Sequence, residues 1–103
     1  MNITNVKELN SYKMELAAGF YIEFFSNQYA KMTILETGAV EAHEYKNLLV
    51  HIYETDSEIY FDLITENEGT IHISAEQLKD TIINAELFII TFHGLAGTIV
   101  ENK

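Results

Sequence analysis

The most regular feature of the chain is alternation. From Leu48 to Glu54 every second residue is apolar, which puts Leu48, Val50 and Ile52 on one face and Leu49, His51 and Tyr53 on the other. Thr55-Asp56-Ser57 reads as a turn, and Glu58 to Thr65 alternates again with Ile59, Phe61 and Leu63 inward. Glu66-Asn67-Glu68-Gly69-Thr70 carries the strongest turn signal. A type I turn followed by glycine in the left-handed region makes a three-residue hairpin loop with a bulge. The register so predicted pairs Glu66 with Thr70 and Leu63 with Ile73, and it keeps Phe61, Leu63, Ile71 and Ile73 on one face.

Flanking segments are less regular. Residues 4–18 read in two ways. Thr4 can cap a helix with Val6, Leu9 and Leu16 on roughly one face and Gly19 beyond its end, or a strand can begin at Tyr12. Phe20 to Phe25 is aromatic and suits a strand, Ser26-Asn27-Gln28 a turn, and Tyr29 to Thr37 a second strand. The polar stretch from Gly38 to Asn47 is expected to be a loop containing a helical turn. Ser74-Ala75-Glu76-Gln77 matches a capping box that opens a short helix, with Ala75, Leu78 and Ile82 toward the core. Leu87 to Phe92 is apolar except at Thr91, which predicts a strand buried on both faces. Gly94 and Gly97 bracket a turn into Thr98-Ile99-Val100, a last strand. The order predicts an α+β fold: one small domain over residues 1–103, with a mostly antiparallel sheet of about five to seven strands and one or two short helices.

Composition supports a packed domain. Hydrophobic residues make up 48 % of the 103 positions, enough for a core, so a folded domain is expected rather than a disordered chain. There is no cysteine, which removes disulfides, Cys-based zinc sites and thiol chemistry. The start is polar and no apolar run approaches the length of a membrane span, so the expected compartment is the cytoplasm.

Charge changes the picture most. Sixteen acids face six bases, a net charge of −10, and every base is lysine. Nine of the acids lie between Glu36 and Glu68 against Lys46 alone. Such a surface repels phosphates and anionic membranes, so neither nucleic acid nor membrane is an expected direct partner. The expected partner is a protein with a basic surface; a homo-oligomer is also compatible.

Candidate chemistry is sparse. His51, Asp62 and His72 share the outer side of the sheet, within reach of a metal, but no recognised ligand spacing is present and polar residues on a solvated face account for them. Glu41-Ala42-His43-Glu44 lacks a second histidine at helical spacing and reads as an exposed loop or helix end. Glu54 and Glu58 flank a turn, where water keeps paired carboxylates ordinary. Gly94-Leu95-Ala96-Gly97 has no basic neighbours to grip a phosphate. Phe20, Tyr21, Phe24, Phe25 and Tyr29 resemble a base-stacking platform, but only Lys31 is near, and core packing is the better account.

No catalytic, cofactor or metal residue is therefore assigned. The expected function is a non-enzymatic protein-binding module that works through Glu54, Asp56, Glu58, Asp62, Glu66 and Glu68. One form is a small inhibitor or nucleic-acid mimic of the kind mobile elements use. The alternatives are a regulatory or structural subunit assembling through an aromatic patch or edge strand, and a small-ligand or metal site on the polar sheet face.

Overall fold

The computed structural model describes residues 6–93 and 99–101. Its centre is the alternating region. β5 (His43–Glu54) and β6 (Ile59–Ile64) pair antiparallel with Ile52 opposite Phe61 and His51 opposite Asp62. β6 then pairs with β7 (Thr70–Ser74), with Phe61 opposite Ile73 and Asp62 opposite His72. Because side chains alternate along a strand, Leu48, Val50, Ile52, Phe61 and Leu63 all point to one side and are buried.

The other strands extend this sheet and cover it. β4 (Gln28–Glu36) lies on the far side of β5, followed by β8 (Ala85–Phe92) and β9 (Ile99–Glu101), which gives the order β7-β6-β5-β4-β8-β9. β1 (Lys7–Glu8) flanks β5 beyond the end of β4, with Glu8 opposite Tyr53. β2 (Ser11–Ala17) and β3 (Phe20–Phe25) form a separate two-stranded sheet. That hairpin and α1 (Ala75–Ile83) pack on the same side of the main sheet. Met14, Ile22 and Phe24 from the hairpin and Leu78 and Ile82 from the helix close one core with Phe61, Phe88, Ile90 and Phe92. Among the described residues nothing packs over the opposite face.

Several expectations hold in detail. The β3 strand, the 55–58 turn and the helix with Ser74 as cap are as the sequence predicts, and both halves of the capping box form. Gly69 has a φ of 81°. Other expectations are corrected. Of the two readings of residues 4–18, the helix is overturned and the strand holds as β2, because Met14 packs inward against Ile22 of β3 within the hairpin. The segment 38–47 contains no helical turn: β5 already begins at His43, where it pairs with β4. The β6–β7 register places Ile64 opposite Thr70 and Leu63 opposite Ile71, two residues from the predicted pairing. The cause is Thr65, whose hydroxyl accepts from Glu68 N–H at 2.8 Å and donates to the Gly69 carbonyl, closing the loop one residue earlier. A shift of two preserves face, so the inward set survives. β8 is buried on one face only, with Phe88, Ile90 and Phe92 inward and Leu87, Ile89 and Thr91 half-buried. The turn between Gly94 and Gly97 lies outside the described residues.

Ser26-Asn27 forms the expected turn and carries the chain from the two-stranded sheet to the main one. In the gap between β1 and β4, Ile52 N–H donates to the buried Ser26 Oγ at 3.1 Å. Asn27 adopts φ 62°, a conformation asparagine tolerates better than most residues.

Two substitutions test this packing. Phe61→Ala removes a fully buried ring and is expected to destabilise by about 3–5 kcal/mol, read as a large fall in the denaturation midpoint. Gly69→Ala meets no neighbouring atom within 4 Å, so only its positive φ is penalised, and the loss is expected to be about 1 kcal/mol. A Gly69→Ala protein as stable as wild type would contradict the turn.

Candidate functional site

Packing Phe61, Leu63 and Ile52 inward forces their sequence neighbours outward onto the uncovered face. There β5 contributes His51 and Tyr53, β6 contributes Tyr60 and Asp62, and β7 contributes His72. Their rings form a cluster. Tyr53 and Tyr60 are stacked at 5.7 Å with an interplanar angle of 22°, and Tyr60 and His72 at 5.2 Å and 16°. His51 stacks on Tyr53 at 5.4 Å.

Asp62 sits among these rings. Its Oδ1 accepts from His72 Nδ1 at 2.7 Å, and the Tyr53 hydroxyl lies 3.0 Å from the same nitrogen. Its Oδ2 is 4.0 Å from His51 Nδ1. The other side of His51 faces Glu8, with Nε2 at 3.6 Å, and Glu8 accepts from the Asn27 side-chain amide. Acidic and imidazole groups thus alternate across β1, β5, β6 and β7.

This electrostatic setting acts on the phenols. Glu58 raises the Tyr60 pKa above its ordinary 10.0, chiefly by its charge. Tyr53 is raised first by burial and then by the charge of Asp62. Tyr45, on the opposite side of β5, is raised by burial, then by Glu68 and Glu36.

The arrangement offers hydrogen bonding and stacking more readily than catalysis. An Asp–His pair can orient a general base, but His72 is 59 % exposed on an open sheet face, where water is not excluded. Among the described residues no three histidine or acidic side chains are placed to hold a metal; Asp62 is hydrogen-bonded to His72 and stands 4.0 Å from His51.

The predicted acidic residues fall into three places. Glu54, Asp56 and Glu58 surround the β5–β6 turn, Glu66 and Glu68 lie in the β6–β7 turn at the opposite end of β6, and Asp62 lies between on the open face. The far pair is anchored: Glu66 accepts from the Asn47 amide at 2.9 Å and Glu68 bonds His43 at 2.8 Å. They line a shallow cleft of about 290 Å³ with Glu44 and Lys46. Glu44 is partly neutralised by Lys31 at 3.5 Å. From Asn47 to Leu78 the chain has no lysine or arginine.

The aromatic segment divides. Phe24 is buried and Phe25 half-buried against Phe92, whereas Phe20, Tyr21 and Tyr29 are exposed. Lys13 lies over the Tyr21 ring at 5.9 Å. The sequence reading placed His51, Asp62 and His72 on one face but missed Glu8, Asn27 and the ring cluster. The strand parity of Tyr53 and Tyr60 carried the signal for the rings; nothing local ties Glu8 to His51.

Comparison with known proteins finds no matching family model, no curated protein similar in sequence and no solved structure similar in fold. Among the described residues no helix is long and apolar enough to cross a membrane.

The raised phenols give a pH prediction. Because the fold holds Tyr60 protonated, that stabilisation is fully present below pH 10.0 and is lost as pH climbs through the raised value. Phenolate absorbance followed into alkali is expected to show late-ionising tyrosines in the folded protein. Glu58→Gln is expected to move one of them back toward 10.0; an unchanged curve would deny the Glu58–Tyr60 contact.

Proposed function

We propose that this chain is a non-enzymatic protein-binding module whose acidic surface docks on a basic partner, as a small inhibitor occupying a groove made for nucleic acid would do. The observation that carries this reading is the one-signed run of the chain from Asn47 to Leu78. β6, β7, their turns and most of β5 hold Glu54, Asp56, Glu58, Asp62, Glu66 and Glu68 with no lysine or arginine among them. The two acidic turns are separated by the length of β6, roughly 20 Å, which suits an extended groove rather than a point contact. Exposed carboxylates contribute little singly, and their summed field chiefly accelerates association.

The test is capture from the native host's lysate on immobilised protein, with two variants beside it. One carries Glu54→Lys, Asp56→Lys and Glu58→Lys, the other Glu66→Lys and Glu68→Lys, each with an unchanged circular dichroism spectrum. A specific basic partner is expected to be lost from both variants and from wild type as salt rises past about 0.15 M, where charges further apart than roughly 8 Å are screened. Retention on both variants, insensitive to salt, would overturn the reading. It would favour assembly through the hairpin aromatics, of which Phe20 is 68 % and Tyr21 53 % exposed.

A further inference from the structure

The acidic turns surround a face of different character, and that face narrows the partner's chemistry. It presents stacked rings, Tyr53, Tyr60 and His72, around a carboxylate with one oxygen uncommitted. Asp62 Oδ1 is used by His72, while Oδ2 stands 4.0 Å from His51, beyond hydrogen-bond distance, and is open to a further donor. His72, the ring nearest the sheet edge, is 59 % exposed. We infer that the partner is anchored here by an arginine, its guanidinium lying against the Tyr53–Tyr60–His72 cluster and donating to Asp62. This rests on the acidic-surface reading and specifies where and by what side chain it is realised.

The argument for arginine is geometric. A guanidinium is flat and weakly hydrated, so it extends a ring stack while its in-plane N–H groups reach a carboxylate beside the rings. A lysine ammonium is a compact, strongly hydrated point charge that gains the field but not the stacking. Other occupants fit less well. A nucleic-acid base would stack on the same rings, but its phosphates would meet Glu58 and Asp62 with no lysine or arginine on β6 or β7 to receive them. A second copy joined two-fold through this face would set Asp62 and Glu58 against their own copies.

The experiment is an NMR titration of the full chain with two capped peptides of equal length and charge. One presents arginines and the other lysines in a glycine-serine background, at about 0.15 M salt. With the arginine peptide, the aromatic resonances of Tyr53, Tyr60 and His72 are expected to shift most, with affinity about two- to fivefold above the lysine peptide. Tyr60→Leu, or Tyr53→Leu should the first not fold, is expected to equalise the two peptides while leaving weak, salt-sensitive binding. Equal affinity in the wild type, with shifts spread over the 54–58 and 66–68 turns, would overturn the arginine anchor and leave the acidic-surface reading standing. Shifts centred on Tyr21 and Tyr29 would overturn the anchor by relocating it. No response to either peptide at millimolar concentration would overturn both.

Discussion

Phe61 is fully buried where the two sheets meet, edge-on to Phe24 at 4.9 Å and to Tyr12 at 5.9 Å. Through this contact the β2–β3 hairpin is seated on the main sheet. The same contact fixes the hand of every neighbour. A strand with Phe61 inward must carry Tyr60 and Asp62 outward, and the antiparallel pairings then place Tyr53, His51 and His72 beside them. A slip of one residue would bury Asp62 without a charged partner and expose the ring, so core packing and the polar face are specified together.

That coupling explains what could be read from the sequence. Where burial on one face dictates identity, as in Leu48 to Ile52 or Phe61 to Ile73, alternation revealed both the strands and the outward trio His51, Asp62 and His72. It could not reveal the β6–β7 register, because a shift of two leaves alternation intact and the choice fell to the Thr65 hydroxyl. The start of β5 was hidden for another reason. A bulge opposite Ala30 and Met32 puts Tyr45 and Leu48 on the same face three residues apart, which breaks the period. The segment 6–18 fits two periods, since Val6, Leu9 and Leu16 suit a helical face while Tyr12, Met14 and Leu16 alternate, and the pairing of β2 with β3 decides between them. Glu8 reaches His51 only because β1 pairs with β5, a contact between segments far apart in sequence.

The distribution of acids follows the same logic. Carboxylates at the turns cost the fold little, since water solvates them on most sides. Asp62 is the exception, set among rings on a sheet face, and among the described residues it is the one acid flanked by two histidines. Glu66 and Glu68 are intermediate: Asn47 and His43 hold them in place at the surface. The acidic half of the molecule is therefore graded, from exposed charge at the 55–57 turn to hydrogen-bonded charge at the centre of the face.

Grading of this kind divides the work of binding. Exposed carboxylates at the turns act at a distance, where geometry hardly matters and screening does, so they govern how often a basic partner arrives. Groups already held by stacking and hydrogen bonds lose little conformational freedom when a partner docks, so more of their contact free energy appears as affinity. In the Tyr53–Tyr60–His72 cluster with Asp62, each member is tied to at least one other by stacking or a hydrogen bond. On the proposed reading the turns set the association rate and the open face sets the residence time. The two can be separated experimentally, because salt acts on the first far more than on the second.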